Sequence, residues 1–298
     1  MSSVLVCGTK SEWFCSQLSK KLSVEFLQVE SKRFPDGESY VRIDGQVSGK
    51  DVVLAHSLSP PQNDSIWELL LTMEALSESR AKKIILYLPY IAYSRQDKIF
   101  LPGEPISIKA LLQILSFMGA SGLITFDIHK ERSLEYFRGK AYSIIPVDSL
   151  SSKLREITKS PVIVAPDIGA LQRAKAVADN LGCKFFNLSK KRDLRTGEVT
   201  ITAEEVDVKN REVVILDDII STGGTVAKAA SLLRELGADK IYVAVTHALM
   251  VGDAYKKLKS SGVSTIIAAN TLPPLPGIEY FDVSEEGAKA IGKFLNND

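Results

Sequence analysis

Cysteine is scarce in this sequence, and its spacing argues against several kinds of site. The 298 residues contain three cysteines, Cys7, Cys15 and Cys183, and no Cys-x-x-Cys pair. This spacing excludes a zinc or dithiol site built on such pairs, and three scattered cysteines do not predict a disulfide framework. We therefore expect a protein of a reducing cytoplasm.

Long apolar runs and a secretory leader are also lacking. The apolar stretches fall well short of the roughly 20 residues that a membrane-spanning helix needs. The first ten residues, MSSVLVCGTK, contain no basic segment followed by an apolar run. Membrane insertion and secretion are therefore not expected.

The charges are balanced, with no excess of either sign. Thirty-seven Lys and Arg stand against 36 Asp and Glu, which leaves a formal net charge of +1. A nucleic-acid-binding domain usually has a marked basic excess, so we expect no nucleic-acid partner and only local sites for anions. The 45% hydrophobic and 24% charged residues are typical of a globular protein, and the length suggests about two domains.

Apolar segments of strand length alternate with amphipathic segments of helix length along most of the chain. Predicted strands cover residues 4–7, 40–43, 52–55, 83–88, 122–126, 162–165, 184–188, 212–216, 241–245 and 265–268. Predicted helices cover residues 12–22 and about 170–181. Four others are predicted from one end only: one capped by Asn63 or Asp64, one that begins at Ser107, one capped by Asp148 or Ser149, and one that ends at Gly237.

Runs of Val and Ile without polar alternation indicate strands that are covered on both faces, as in parallel sheets. We therefore predict an α/β protein with two similar doubly wound domains and mostly parallel sheets. The boundaries are residues 1–146 and 147–298, with a final helix that can pack back on the N-terminal domain.

The most informative segment is VVILDDIISTGGT, residues 213–225. Asp217 and Asp218 come at the end of an apolar strand, where doubly wound sheets bind ligands, and carboxylates accept hydrogen bonds from sugar hydroxyls. The following turn can bind a phosphate monoester at a helix N-terminus, through the residues Ser221, Thr222, Gly223, Gly224 and Thr225. An ordinary helix cap would explain the hydroxyls but not the adjacent acids.

This segment resembles the ribose-phosphate loop of the phosphoribosyltransferase-type fold. Further segments resemble, in the same order, the signatures of the ribose-phosphate diphosphokinase family, also called phosphoribosyl pyrophosphate synthases: FPDGE at 34–38, YSRQDK at 93–98, DIH at 127–129, APD at 165–167 and SKKR at 189–192. The resemblance implies an enzyme that transfers the diphosphoryl group of Mg-ATP to ribose 5-phosphate, releasing AMP.

The resemblance also implies where ATP binds. The sequence has no G-x-x-x-x-G-K-[ST] loop, so another cationic group must hold the nucleotide. The residues implied are Phe34, Asp36 and Glu38, which reach the ATP site of a neighbouring subunit in a homo-oligomer, and Arg95, Gln96 and Asp97. Without the resemblance, the first group is a plain turn before a strand and the second a solvated loop with an ion pair.

Two further pairs of residues gain roles from the resemblance. His129 and Asp167 each follow an apolar strand, and the family pattern makes them ligands of Mg²⁺, although a lone histidine is more often structural. Lys190 and Arg192 become the catalytic pair, in a charged segment, residues 189–198, that we expect to be mobile in the empty site. A solvated charged hairpin is the alternative for this segment.

One position departs from the family pattern and leaves an alternative open. The family commonly has an acid followed by Thr-Ala-Gly-Thr, whereas this chain has Ser221 followed by Thr-Gly-Gly-Thr. The Gly-Gly pair also occurs in phosphoribosyltransferases that act on a base. A base phosphoribosyltransferase and a non-catalytic regulatory subunit of the synthase are therefore the competing interpretations.

Overall fold

The computed structural model describes residues 3–9, 11–192, 199–202 and 207–295. The strands are β1 (Ser3–Cys7), β2 (Phe26–Arg33), β3 (Ser39–Ile43), β4 (Asp51–Ala55), β5 (Lys83–Tyr87), β6 (Ala120–Phe126), β7 (Lys140–Ile144), β8 (Val162–Ala165), β9 (Phe185–Asn187), β10 (Ser189–Arg192), β11 (Val199–Thr202), β12 (Glu212–Ile220), β13 (Lys240–Ala248), β14 (Val263–Ala269) and β15 (Glu279–Phe281). The α-helices are α1 (Glu12–Leu22), α2 (Gln62–Glu78), α3 (Ser107–Phe117), α4 (Val147–Ile157), α5 (Leu171–Leu181), α6 (Gly224–Glu235), α7 (Ala254–Ser260) and α8 (Ser284–Leu295).

The chain divides into two compact units. Unit one consists of Met1–Ile144, Thr271–Pro273 and Val283–Asp298, and unit two consists of Ile145–Asn270 and Pro274–Asp282. Each unit therefore takes residues from more than one stretch of the sequence.

Unit one is built on a seven-stranded sheet in the order β3-β2-β1-β4-β5-β6-β7. All neighbours are parallel except β2 and β3, which form an antiparallel hairpin at one edge. The apolar residues of β1, β4 and β5 are almost completely buried, as strands covered on both faces must be. The strand order reverses direction between β1 and β4, which is the position where such sheets open a crevice.

Unit two is built on a six-stranded parallel sheet in the order β15-β14-β13-β12-β8-β9. Its strand order reverses between β8 and β12. Valine and isoleucine from these strands, together with small residues of α6, form one buried core. The two doubly wound α/β units confirm the predicted fold class.

The structure corrects several predicted boundaries. Strand β12 continues through the acid pair to Ile220, because Asp217 pairs with Val245 on β13 and the pairing goes on to Ile220 with Ala248. Helix α2 begins at Gln62 after Pro61, so the predicted caps Asn63 and Asp64 lie inside its first turn. Likewise, α4 begins at Val147, ahead of the caps predicted for it, which are Asp148 and Ser149.

The prediction made from cysteine spacing was wrong in one respect. Cys7 and Cys15 form a disulfide with a Cα–Cα distance of 6.1 Å. The two residues are eight positions apart, but Cys7 ends β1 and Cys15 lies on the buried face of α1, which packs on that strand. The turn between strand and helix therefore brings together two cysteines that looked scattered in the sequence.

The C-terminal helix α8 belongs to unit one. It packs against α1, with an ion pair of 2.8 Å between Lys21 and Glu285, and its residues Ile291 and Phe294 are buried. Among the described residues, no helix combines the length and apolar character that crossing a bilayer requires.

Candidate active site

The acid pair and the phosphate-type loop lie at the strand-order reversal of unit two. Asp217 and Asp218 occupy the last part of β12, and residues 221–223 lead directly into α6. Asp167 follows β8, the neighbouring strand across the reversal. This is the position at which open parallel sheets bind their ligands.

The backbone of the loop takes a left-handed turn immediately before α6. Gly223 has a φ of 73°, a left-handed conformation that favours glycine, and it precedes the first residue of α6, Gly224. A Cβ added to Gly224 would have no neighbour within 4 Å, so there is open space beside this residue. The carbonyl oxygen of Ser221 accepts a hydrogen bond from the N–H of Val251 at 2.9 Å, which ties the loop to the segment after β13.

A lysine from outside the motif also contacts this loop. Lys257 on α7 donates from Nζ to the carbonyl oxygen of Thr222 at 3.0 Å. Sequence reasoning did not single out Lys257, because it is one of several lysines in an exposed helical segment. Its contact with the loop becomes apparent only when α7 is placed beside α6.

The two acids of β12 are poorly exposed and close to one another. Their side chains are 16% and 7% exposed, and Oδ1 of Asp217 accepts a hydrogen bond from the backbone N–H of Asp218 at 2.9 Å. Burial raises the pKa of Asp217 well above its usual value, and the negative charges of Asp218 and Asp167 add to this effect. The guanidinium of Arg173 opposes it. The pKa of Asp217 is therefore set by the balance between its burial, the neighbouring negative charges and the positive charge of Arg173.

Asp167 is brought into the same electrostatic environment as the acid pair. It caps a short 3-10 helix, Ile168–Ala170, and its Oδ1 accepts from the N–H of Gly169 at 2.9 Å. The family resemblance predicts Asp167 and His129 as metal ligands, and this role stays a prediction. The structure adds that the negative charge of Asp167 contributes to the raised pKa of Asp217. The carboxylate oxygens of the two aspartates are donors of the kind that Mg²⁺ prefers.

His129 lies in unit one, at the carboxyl end of β6. It is half-buried, and the segment leading to it is firmly held. Asp127 N–H donates to the carbonyl of Ile144 at 2.9 Å, and Ile128 N–H donates to Oγ of Ser143 at 3.0 Å. Within the residues that the structure describes, no cluster of three or more His, Cys, Asp or Glu side chains has the geometry of a metal site.

The strand-order reversal of unit one differs in character from that of unit two. His56 follows β4 there, is 1% exposed and packs against Gly8, where an added Cβ would come within 2.0 Å of His56 Nδ1. The imidazole ring of His56 thus occupies the space beside Gly8, and Cys7, the residue before Gly8, forms the disulfide with Cys15. The residues of unit one that are predicted to bind ATP lie in its loops.

The segment FPDGE forms the tip of the β2–β3 hairpin. The Phe34 N–H donates to the Glu38 carbonyl at 2.8 Å, the Glu38 N–H donates to Oδ1 of Asp36 at 3.2 Å, and Gly37 takes a φ of 95°. Phe34 is 42% exposed and its ring meets that of Tyr40 edge-on, with centroids 6.0 Å apart. Groups within the hairpin thus form hydrogen bonds with its own backbone. The ring of Phe34 and the carboxylates of Asp36 and Glu38 are exposed at its tip.

The second predicted nucleotide motif follows β5 in a loop. Gln96 Oε1 accepts from Oγ of Ser107, the first residue of α3, at 3.1 Å, whereas Arg95 is exposed. Burial raises the pKa of the neighbouring Tyr90 to about 12, and the charge of Arg95 works in the opposite direction. Gln96 is thus held in place and the guanidinium of Arg95 faces solvent.

Side chains in the first turn of α2 contact residues in or next to the two segments of unit one that are predicted to bind ATP. Asp64 forms an ion pair with Arg33, the residue before FPDGE. Asn63 accepts from the hydroxyl of Tyr93, whose backbone has a φ of 64°, two residues before Arg95. Asn63 and Asp64, which were predicted as helix caps, therefore bind residues of two neighbouring loops instead.

The proposed catalytic pair lies on a two-stranded antiparallel ribbon, β10 with β11. Lys190 is in register with Ile201 and Arg192 with Val199. The side chains of Lys190 and Arg192, and residues 193–198 of the charged segment, lie outside what the structure describes. Their predicted catalytic role therefore stays a prediction.

The structure also identifies a residue that the sequence did not, Arg173 on α5. Its Nη1 lies 3.5 Å from Oδ1 of Asp217, and its Nη2 lies 4.0 Å from Oδ2 of Asp218. In the sequence, Arg173 looks like part of the ordinary polar face of an amphipathic helix. Only the fold brings it to the acids, which lie more than forty positions further along the chain.

Comparison with known proteins shows which family this chain is similar to. A family model for the N-terminal domain of ribose phosphate pyrophosphokinase matches residues 3–119, and a model for the phosphoribosyl transferase domain matches residues 140–272. The ribose-phosphate pyrophosphokinase of Sulfolobus acidocaldarius is 38% identical over 290 residues, which cover 97% of this chain and 100% of that protein. The enzyme of the same name from Saccharolobus solfataricus is 41% identical over 270 residues, covering 90% and 93% respectively.

A solved structure extends the similarity to the fold of the whole chain. The crystal structure of phosphoribosylpyrophosphate synthetase from Mycobacterium smegmatis matches with a TM-score of 0.88 and 29% sequence identity, covering 100% of both chains. Family models, relatives and structure thus agree with the order of motifs in the sequence and with two doubly wound units. The chain belongs to the ribose-phosphate pyrophosphokinase family.

Proposed function

We propose that this chain transfers the diphosphoryl group of Mg-ATP to the anomeric hydroxyl of ribose 5-phosphate, which yields 5-phosphoribosyl 1-diphosphate and AMP. The observation that carries the proposal is the combination of a half-buried acid, Asp217, a buried acid, Asp218, and a glycine-containing loop on one strand–turn–helix segment of unit two. In the reaction, the anomeric oxygen forms a bond to the β-phosphorus and loses its proton. The bond from the β-phosphorus to the oxygen that bridges it to the α-phosphorus breaks, and AMP departs with that oxygen.

The 5-phosphate would bind to the loop that begins α6. The N–H groups at a helix N-terminus point toward an anion there, and the helix dipole favours negative charge. The hydroxyls of Ser221, Thr222 and Thr225 add donors, and the open space beside Gly224 lets an oxygen approach the backbone. Asp217 and Asp218 would then accept hydrogen bonds from the vicinal hydroxyls of the ribose.

The nucleotide would bind to the loops of unit one, and unit two would hold ribose 5-phosphate and the cationic segment. We assign residues 1–146 and 147–298 to these two roles. Arg95 has the fork of donors suited to phosphate oxygens, Gln96 has polar edges for the base, and Asp97 can orient Arg95. The exposed ring of Phe34 with the carboxylates of Asp36 and Glu38 suits an adenine ring with its exocyclic amine.

We also propose magnesium as the cofactor. Burial and neighbouring negative charge already raise the pKa of Asp217, and a divalent cation would relieve this repulsion. We assign Asp167, an oxygen donor, and His129 as its ligands from the protein. The bound ion would neutralise charge on the triphosphate oxygens.

The charge that develops on the transferring group and on the leaving AMP calls for cations. We assign Lys190 and Arg192 to this role, since an ammonium and a guanidinium can each donate hydrogen bonds to phosphoryl oxygens more strongly as charge builds up. Positioning and charge neutralisation account for most of the catalysis in phosphoryl transfer.

The reaction uses metabolites that are found inside cells, so we also propose a cytoplasmic location. The two cysteines of the disulfide are buried and therefore shielded from solvent.

The activity is tested by incubating the protein with ATP, magnesium and ribose 5-phosphate and separating the nucleotides. Release of AMP in step with 5-phosphoribosyl 1-diphosphate is the expected result. Release of ADP would indicate a simple kinase instead. Release of diphosphate that depends on an added base would indicate a base phosphoribosyltransferase, and no reaction would indicate a regulatory subunit.

We further propose that the ATP site is shared between subunits of a homo-oligomer, with the β2–β3 hairpin serving a neighbour. Two inactive variants test this, one with Asp36→Ala and Glu38→Ala and the other with Lys190→Ala and Arg192→Ala. Shared sites would restore activity on mixing, because some interfaces would then combine two intact loops. If mass measurement confirms subunit exchange and no activity returns, the hairpin serves its own chain.

A further inference from the structure

Arg173 occupies a position that is unfavourable for a cation on its own helix. It is the third residue of α5, near the N-terminus, where the helix dipole favours negative charge. Its side chain is also only 11% exposed, and a guanidinium removed from water costs free energy unless it is paired. The groups around it must therefore compensate for its charge.

Two segments of unit two supply compensating groups. Nη1 lies 3.3 Å from the carbonyl oxygen of Gly169 and 3.5 Å from Oδ1 of Asp217. Nη2 lies 4.0 Å from Oδ2 of Asp218. One planar fork thus spans both acids of β12 and reaches the short helix that Asp167 caps.

At these distances Arg173 can orient the two carboxylates while leaving some of their acceptor sites for hydrogen bonds from a ligand. A carboxylate has sites for about four hydrogen bonds. The contacts on Oδ1 of Asp217 come from Arg173 and from the N–H of Asp218, so the carboxylate keeps capacity for hydroxyl groups. Burial raises the pKa of Asp217, and the positive charge of Arg173 works in the opposite direction, toward the form whose oxygens only accept hydrogen bonds.

We propose that Arg173 is a positioning residue for the sugar: its guanidinium holds Asp217 and Asp218 in the orientation that accepts the ribose hydroxyls. This inference rests on the assignment of the acid pair to ribose 5-phosphate under the proposed function. Arg173 itself acts through the two carboxylates and has no required contact with ATP. Its loss should therefore affect one substrate more than the other.

The test compares Arg173→Gln and Arg173→Lys with the unmodified protein in steady-state assays of AMP release. Arg173→Gln should raise KM for ribose 5-phosphate about tenfold or more, since an interaction with buried charged groups is removed, and change KM for ATP less than about twofold. Arg173→Lys keeps the charge but not the fork, so its KM for ribose 5-phosphate should lie between those of the other two proteins.

A double variant shows whether Arg173 works through the acids. Asp217→Asn should itself raise KM for ribose 5-phosphate, and adding Arg173→Gln should then have little further effect, because the two changes interrupt the same chain of contacts. A matched control is Arg155→Gln. Arg155 also lies in unit two and donates to α5, at the carbonyl of Asn180 from 2.7 Å, but it is remote from the loop. It should lower stability without altering the ratio of the two KM values.

Several results would overturn the inference. Equal increases in KM for both substrates, or an effect of Arg173→Gln that adds in full to that of Asp217→Asn, would give Arg173 only a structural role. If Arg173→Gln does not fold, Arg173→Lys carries the test, and an unchanged KM for ribose 5-phosphate would refute the role of the fork. If Asp217→Asn leaves that KM unchanged, the assignment of the acids fails first, which separates a failure of the proposed function from a failure of the inference.

Discussion

The two adjacent glycines of the phosphate-type loop should respond in opposite ways to replacement by alanine. Gly224 begins α6 and is not in a left-handed conformation, and its added Cβ would meet no atom within 4 Å. In the ligand-free protein, Gly224→Ala should therefore cost nothing. It should even stabilise the fold by up to about 1 kcal/mol, because alanine has the higher helix propensity and restricts the unfolded chain.

The same methyl group would occupy the open space through which a phosphate oxygen reaches the backbone. If it weakens binding of ribose 5-phosphate tenfold, the loss corresponds to about 1.4 kcal/mol. Ligand at about 100 times the dissociation constant stabilises the unmodified protein by about 2.7 kcal/mol. The same concentration would be about ten times the dissociation constant of Gly224→Ala and would stabilise it by about 1.4 kcal/mol.

The assay is denaturant unfolding with and without ribose 5-phosphate, together with calorimetric titration of the ligand. Gly223→Ala is the control, because its Cβ would point toward α7, 3.4 Å from Leu258 Cγ, and its φ of 73° is strained for alanine. It should cost about 1–2 kcal/mol of stability before any ligand is added. If Gly224→Ala binds ribose 5-phosphate as well as the unmodified protein does, this loop is not the phosphate site.

Three further predictions concern charge, packing and the catalytic segment. Asp217→Asn should raise the melting temperature at neutral pH, because a raised pKa means that the folded protein prefers the neutral acid; the gain should shrink as pH falls through that raised pKa toward the ordinary value of 3.8, and a gain that is the same at every pH would contradict this cause. Gly122→Ala should lower stability by about 1–3 kcal/mol, since its Cβ would come within 2.4 Å of Phe294 Cε1, and adding Phe294→Leu should recover part of the loss in thermal unfolding. Lys190→Ala should lower kcat by on the order of a hundredfold with a modest change in ATP affinity, whereas Lys191→Ala should matter less; the reverse order in steady-state kinetics would show that the roles are assigned to the wrong residues.

The local features of the fold could be read from the sequence because they depend on neighbouring residues. Apolar runs such as residues 162–165 match strand β8 residue for residue, and residues 12–22 match helix α1. The order of motifs along the chain was enough to indicate the family, which the comparisons confirm. The acid pair and the loop after it could be recognised for the same reason, since strand, turn and helix follow one another directly.

The elements that the sequence did not predict include strands β2, β7 and β15 and the short helix α7. Strands β2, β7 and β15 have mixed burial, so they lack the unbroken apolar run that marks a central strand. The continuation of β12 through Asp217 to Ile220 was missed because acids normally end a strand. Here pairing with β13 satisfies their backbone and extends the sheet.

From the sequence by itself, most central strands and several helices could be predicted, and the acid pair with the loop after it could be proposed for sugar and phosphate binding. The tertiary structure alone decided which distant residues meet. It joined Cys7 to Cys15, placed Lys257 on the loop and brought Arg173 to the acids of β12. Periodicity and turn signals extend over a few residues, whereas these contacts depend on strand order and on which helix packs beside which strand. That information resides in the burial of the whole core and is not carried by any single segment.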